Sequence, residues 1–254
     1  MELADRIAAL DTTLFDEIAT ETTVSDRKSL LSLHQACAER TGRFSYLEIG
    51  SHLGGSLQVL IRDPRCTRIV SIDARPPSMP DASGLDWKYA ENSTARMRHL
   101  LGSLRDADPT KLVTIDASTE TIDATAIGTN PTLCFIDGEH TDEAVLRDAR
   151  FCRQAIHDDG WLAFHDTGVV YRGLVRFIDE LAKTGLAPRS YYLPDTILVI
   201  ELGEPRLLGT KQVLDQVISN AGGYLATLLA NDGYRATLSR PLFRFLRRAG
   251  ILNV

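Results

Sequence analysis

The residues of this chain that are best suited to chemistry stand directly after two short apolar runs. One run leads into Asp137 and, three residues later, His140; the other leads into His165, Asp166 and Thr167. Two carboxylates at such positions can hold a hard divalent cation and leave room for water and substrate oxygens. A histidine, whose ordinary pKa is about 6.5, can take a proton from a hydroxyl group at neutral pH.

A glycine-containing turn and a further acid follow two earlier apolar runs. The turn has the spacing Glu-x-Gly-x-x-x-Gly, with Glu48, Gly50 and Gly54, and Ser56 follows it closely. This is neither the Gly-x-Gly-x-x-Gly pattern of dinucleotide-binding folds nor the Gly-Lys-Ser/Thr of a phosphate loop. Asp73 closes the next run, where a carboxylate can accept hydrogen bonds from both hydroxyls of a ribose.

Each of these residues also has a purely structural interpretation. Asp137 and Asp166 can cap the helices that follow them, and His140 can be a surface histidine. Strand alternation predicts that His165 points away from Asp166, so we assign it a structural role. Functional roles become the better interpretation only if the residues meet in one cleft.

The elements that must position these residues are short apolar runs separated by amphipathic stretches. The runs that predict parallel strands lie at residues 44–49, 67–73, 111–116, 132–137 and 161–166. Helical patterns cover residues 94–104 and 142–156. The last two runs, 189–194 and 196–202, are too close for a crossover helix and must be antiparallel.

This pattern predicts an α/β fold: a Rossmann-like, doubly wound, mostly parallel seven-stranded sheet with an antiparallel C-terminal hairpin. Helices are expected before and after it. One is expected through Leu3 to Ile18, and a second is expected after a cap at Ser25. The predicted organisation is N-terminal helices at 1–40, a ligand-binding domain at 41–203 and a helical appendage at 204–254. In such sheets, ligands bind beyond the carboxyl ends of the strands.

The motifs LEIGSHLGGS and SID, in this strand order, resemble those of the class I S-adenosylmethionine-dependent methyltransferases over about residues 25–203. The resemblance implies that the methionine part of the cofactor lies against the turn and that Asp73 binds the ribose. It also implies that the stretch after the third run contacts adenine. The cofactor-binding residues so expected are Glu48, Gly50, Gly54, Ser56, Asp73, Ala117, Ser118 and Asp137.

The pair FIDGEH and FHDT resembles the metal-dependent sugar O-methyltransferases that decorate macrolides and aminocoumarins. The resemblance implies Mg²⁺ bound by Asp137 and Asp166, with His140 as the general base. Thr167 is the candidate third ligand, although the related catechol-type enzymes have an acid or amide in its place. The expected acceptor is a hydroxyl of a saccharide or glycoside. A phenolic acceptor, or a non-catalytic cofactor-binding scaffold, remains an alternative.

The composition and charge of the chain limit the kinds of molecule that it is expected to bind. The net charge of −6 disfavours nucleic-acid binding, which relies on a basic surface. The four cysteines form no CxxC pair, no secretory signal is visible and no apolar run has the length of a membrane span, so a reduced, cytoplasmic protein is expected. Residues 241–252 mix apolar residues with arginines. They could touch an anionic membrane, but packing is the preferred interpretation, and a homo-oligomer is expected.

Overall fold

A seven-stranded sheet organises the protein, whose computed structural model describes residues 2–80, 86–218 and 220–238. Along the sheet the strands run β5, β2, β1, β6, β7, β9 and β8, and all neighbours are parallel except the pairs β7–β9 and β9–β8. The predicted fold class is therefore confirmed. The strands are β1 (Phe44–Ile49), β2 (Cys66–Ile72), β5 (Leu112–Ile115), β6 (Leu133–Ile136), β7 (Trp161–Phe164), β8 (Arg189–Tyr192) and β9 (Leu198–Glu201). A separate antiparallel hairpin, β3 (Ser78–Pro80) and β4 (Asp86–Lys88), was not predicted.

Helices cover both faces of the sheet. They are α1 (Leu3–Ala8), α2 (Val24–Thr41), α3 (Thr94–Ser103), α4 (Asp142–Ala155), α5 (Thr167–Lys183), α6 (Lys211–Leu214) and α7 (Ala221–Leu238). Side chains of α1, α2 and α3 contribute to one apolar core, and those of α4, α5 and α7 contribute to the other. Neighbouring residues of one strand point into different cores, as Tyr46 and Leu47 do. This two-sided burial explains the continuous apolar runs.

The N-terminal region departs from the single helix expected through residue 18. Helix α1 ends at Ala8 because Leu10 has a left-handed backbone with φ of 56°. Asp11 then caps a short 3-10 turn by accepting a hydrogen bond from the backbone N–H of Thr13. The apolar positions remain buried, but two short elements bury them instead of one.

Helix α2 begins two residues earlier than expected. Thr23, and not Ser25, is its N-cap. The Thr23 side chain accepts a hydrogen bond from the backbone N–H of Asp26, and the Asp26 side chain accepts one from the backbone N–H of Thr23. This reciprocal capping box satisfies two N–H groups that Ser25 alone could not.

The C-terminal part is helical, as expected, where the structure describes it. Helix α7 packs on α5 and β8, and Tyr224 stacks on Tyr192 with ring centroids 4.3 Å apart. The expected helix at 241–252 lies outside the described residues. The three-part division of the chain and the homo-oligomer remain predictions. No helix among the described residues combines the length and apolar character needed to span a bilayer.

One buried histidine in the first core makes stability depend on pH. His34 is 1% exposed, and neither ring nitrogen has a hydrogen-bond partner among the described residues. Burial lowers the pKa of His34 to about 4. The unfolded chain therefore takes up a proton below its ordinary pKa of about 6.5, while the folded chain does not until near pH 4.

We therefore expect the free energy of unfolding to fall as the pH is lowered from about 7 to 4, and His34→Leu to reduce this fall. Urea unfolding at pH 5 and pH 7.5 measures the difference. The exposed His99→Leu serves as the control. An unchanged pH dependence in His34→Leu would contradict the assignment.

Candidate active site

The carboxyl ends of β1 and β6 meet at a point that only glycine can occupy. The backbone N–H of Asp137 donates to the carbonyl of Ile49 at 2.9 Å, and Gly50 follows with φ of 87°. A Cβ atom on Gly50 would lie 2.0 Å from the carbonyl oxygen of Asp137. Gly50 thus lets the turn after β1 approach the end of β6.

Two carboxylates and a histidine converge beside this contact. His140 Nε2 lies 3.6 Å from Asp137 Oδ1 and 3.3 Å from Asp166 Oδ2. One potential ligand atom from each of the three residues lies within 4.8 Å of the others. All three side chains are partly exposed to a cleft, so the predicted convergence of Asp137, His140 and Asp166 is what the structure shows.

Neither carboxylate is occupied with helix capping. Helix α4 is capped by Thr141, not by Asp137. Asp166 is the N-cap residue of α5, but its side chain makes no capping hydrogen bond, and its backbone is left-handed with φ of 49°. A non-glycine residue in this conformation is unfavourable and is held by its surroundings. Both carboxylates are therefore free to face the cleft.

His165 does not point away from the cluster, so the expectation from strand alternation is wrong. Its Nδ1 lies 2.9 Å from Asp137 Oδ1 and 3.3 Å from Asp166 Oδ2. Its Nε2 lies 3.3 Å from Asp26 Oδ2. The reason is that β7 ends at Phe164, and the left-handed backbone of Asp166 breaks the alternation immediately beyond it.

The electrostatics of the cluster favour the ionised form of the Asp137 carboxylate. Burial alone would raise the pKa of Asp137, but the positive charge of His165 and the close approach of ring nitrogens from both histidines outweigh it and hold the pKa at about 2. Burial alone would lower the pKa of His140, but Asp137 and Asp166 raise it above its ordinary value. The cluster is therefore a place where positive charge is stabilised.

Asp73 is fixed at the wall of the cleft by backbone donors. Its Oδ2 accepts from the N–H of His52 at 2.9 Å, and its Oδ1 accepts from the N–H of Arg75 at 2.7 Å. The guanidinium of Arg75 lies 3.3 Å from the same carboxylate. These contacts orient Asp73 without closing it off from the cleft.

Glu48 supports the glycine turn from beneath. It is fully buried, and its two oxygens accept hydrogen bonds from Tyr46 Oη and Ser56 Oγ, each at 2.6 Å. Burial raises its pKa to about 7. Gly54, with φ of 80°, packs instead against Leu101, and a Cβ atom there would lie 2.9 Å from that side chain. Neither Glu48 nor Gly54 lines the cleft.

The cleft consists of two adjoining cavities of about 280 Å³ and about 310 Å³. Gly50, Asp73 and Met79 line both. The first cavity contains the Asp137 cluster and Ser56, and the second contains Ala117 and Ser118. Most of the residues expected to bind a cofactor therefore line one or both of these neighbouring cavities.

Thr167 lies apart from the cluster that the sequence suggested it would join. Its side chain is fully buried, and its Oγ1 donates a hydrogen bond to the carbonyl oxygen of Thr196 at 2.6 Å. Its role as a ligand stays a prediction that this contact does not favour.

The segment before α2 forms a wall of the first cavity, which the sequence did not reveal. Ala19, Thr20 and Glu21 line it, and Asp26 reaches it from α2. A Cβ atom on Gly55 would lie 2.3 Å from the carbonyl oxygen of Ala19, so the third glycine of the turn, after Gly50 and Gly54, makes room for this segment. Gly55 was the only residue in the local sequence that could have indicated this contact between the turn and the segment before α2.

Residues 47–167 match the profile of a family described as a methyltransferase domain. The match begins within β1 and ends at Thr167, so it includes Gly50, Asp73 and the carboxylate cluster. These residues are therefore similar to a methyltransferase domain, and the expected enzyme class is confirmed at this level. No curated protein sequence matches the chain.

Several solved structures share the fold. The O-methyltransferase NovP has a TM-score of 0.59 at 13% identity, covering 79% of this chain and 98% of its own. A cofactor-bound protein, Rv0187 from MTB, has a TM-score of 0.51 at 14% identity, covering 80% and 90%. An rRNA methylase from Streptococcus thermophilus has a TM-score of 0.50 at 11% identity, covering 73% and 100%. At these identities the likeness establishes the fold.

Substitution of Gly50 tests the contact at the centre of the cleft. We expect Gly50→Ala to separate the turn from Asp137, because the added methyl would overlap its carbonyl oxygen, and to abolish binding of S-adenosylhomocysteine in calorimetry. Gly102→Ala is the matched control, since nothing lies within 4 Å of its Cβ position in α3. It should bind normally and gain up to about 1 kcal/mol in stability. Normal binding by Gly50→Ala would contradict this account.

Proposed function

We propose that the protein transfers the methyl group of S-adenosylmethionine to a hydroxyl oxygen of a saccharide or glycosylated small molecule, with Mg²⁺ at Asp137 and Asp166 and with His140 as the base. One observation carries this proposal. Two carboxylates that cap no helix and a partly exposed histidine meet in a cavity that shares Gly50 and Asp73 with a second cavity. Donor and acceptor sites can therefore lie side by side.

The residues fit the cofactor in type and place. Asp73 offers a carboxylate already oriented by two N–H donors, as binding of ribose hydroxyls requires. Ala117 and Ser118 line the far cavity, where adenine would lie. The methionine end would then lie near Gly50, beside the carboxylate cluster.

The residues also fit a divalent cation. Asp137 and Asp166 direct carboxylate oxygens at one point, and carboxylates so placed favour a positive ion between them. His140 is 22% exposed in the cleft, which leaves its imidazole accessible to a bound hydroxyl group. A cation in this position would orient the acceptor and lower the pKa of its hydroxyl.

The chemical step that these residues support is a displacement in line. S-adenosylmethionine supplies an electrophilic methyl group on a sulfonium. The acceptor oxygen would form a bond to that carbon as the carbon–sulfur bond breaks and S-adenosylhomocysteine leaves, and Nε2 of His140 would take the hydroxyl proton. Holding the oxygen and methyl group in line is worth several kcal/mol, on the order of a well-oriented intramolecular reaction.

The resemblance of FIDGEH and FHDT to the sugar O-methyltransferases supports the choice of a saccharide acceptor. The fold shared with the O-methyltransferase NovP agrees with methyl transfer to oxygen. The fold by itself does not select an acceptor, because an rRNA methylase also shares it. The net charge of −6 argues against a nucleic-acid acceptor.

Cation dependence is the first test. A panel of glycosides and phenols, assayed for methyl transfer with Mg²⁺ and with chelator, should give turnover of a glycoside only when Mg²⁺ is present. We expect Asp137→Asn and Asp166→Asn each to abolish that turnover, because one ionised ligand is lost. Full activity of both variants in chelator would contradict the metal assignment. Turnover of phenols alone would contradict the proposal that the methyl acceptor is a saccharide or glycoside.

The base is the second test. We expect His140→Ala to lower kcat by about 10²- to 10⁴-fold, the usual contribution of a general base, while binding of S-adenosylhomocysteine is unchanged. The control is His99→Ala, at an exposed position on α3. A kcat in His140→Ala equal to that of the control would assign the proton to another group.

A further inference from the structure

His165 has an unusual environment for a histidine beside two carboxylates. It is 8% exposed, and its Nδ1 lies 2.9 Å and 3.3 Å from oxygens of Asp137 and Asp166. These contacts are close, but Nδ1 has no aligned hydrogen-bond partner among the described residues. A buried nitrogen is thus aimed at the proposed cation site without an acceptor in line with it.

The other ring nitrogen of His165 faces a carboxylate from a distant part of the chain. Nε2 lies 3.3 Å from Oδ2 of Asp26, which is fully buried in the first turn of α2. Asp26 is itself held firmly. Its Oδ2 accepts from the N–H and Oγ1 of Thr23, and its Oδ1 accepts from Oγ1 of Thr196 at 3.0 Å.

We propose that His165 Nδ1 is the third protein ligand of the cation, and that Asp26 is the carboxylate that orients it. A histidine that binds a metal almost always donates its other ring N–H to a carboxylate or carbonyl, and Asp26 stands in that position. Asp26 is accordingly a positioning residue. This inference rests on the proposed function only in requiring a cation at Asp137 and Asp166.

The separations of the donor atoms agree with this assignment. Adjacent ligands of an octahedral ion with bonds of about 2.1 Å are about 3 Å apart. Nδ1 of His165 lies at 2.9 Å and 3.3 Å from the two carboxylate oxygens, whereas Nε2 of His140 lies at 3.6 Å and 3.3 Å from the same atoms. The hydroxyl of Thr167, the ligand suggested by the sequence, instead donates a hydrogen bond to the carbonyl oxygen of Thr196.

The first test detects the nitrogen directly. Mn²⁺ takes the same oxygen ligands as Mg²⁺, and its unpaired electrons couple to a directly bound ¹⁴N nucleus in pulsed electron paramagnetic resonance. We expect this coupling in the Mn²⁺-loaded protein and in His140→Asn, and we expect its loss in His165→Asn. Coupling that disappears in His140→Asn and persists in His165→Asn would overturn the assignment.

The second test measures affinity and does not depend on His165→Asn folding. Asp26→Asn preserves size and a capping acceptor but removes the charge opposite Nε2. We expect Mn²⁺ binding to weaken by about 10- to 100-fold, as is typical when the partner of a ligating histidine is lost. Ser93→Ala, which removes the N-cap side chain of α3, is the control for lost helix capping and should bind Mn²⁺ normally.

The outcomes separate this inference from the proposed function. Unchanged Mn²⁺ affinity in Asp26→Asn, with normal binding by the wild type, would overturn the role of Asp26 and leave the proposed function standing. Absence of Mn²⁺ binding to the wild type, with methyl transfer retained, would refute the cation for both. Methyl transfer need not be measured for the nitrogen coupling to decide between His165 and His140.

Discussion

Asp137 and Asp166 place two negative charges side by side at the ends of neighbouring strands, and the surrounding structure compensates this repulsion. Two ionised carboxylates so close are unfavourable unless positive charge lies between them. His140 and His165 both direct ring nitrogens at the pair. In the protein without bound ions, imidazolium groups can supply the balancing charge, and a divalent ion could replace it. The same repulsion that needs compensation therefore makes the site receptive to a cation.

Residues outside the region that matches a methyltransferase domain help to position the groups that offset the repulsion between Asp137 and Asp166. The match spans residues 47–167, yet Asp26 lies before it and Thr196 lies after it. Gly55 admits the segment that precedes α2, and the capping box of that helix holds Asp26 in place. The flanking elements are thus part of the site and not only of the scaffold.

The sequence predicted the sheet and the meeting of Asp137, His140 and Asp166, because parallel strands bring their carboxyl ends to one edge whatever their loops do. It could not predict the direction of His165. That direction depends on the left-handed backbone of Asp166, which no residue pattern indicates. Nor could it predict the partner of His165, because 139 positions separate that residue from Asp26. Local rules of periodicity and capping carry no information about such pairs.

The hydrogen bond between Asp26 and Thr196 also has a consequence for synthesis in the cell. The two residues are 170 positions apart, and a ribosome adds about 5–20 residues per second, so Asp26 emerges roughly ten to thirty seconds before its partner exists. During that interval α2 can form, but the carboxylate that it will bury must remain hydrated. Completion of the pocket is therefore deferred until Thr196 has been synthesised, and a nascent chain that stops before this residue cannot assemble it.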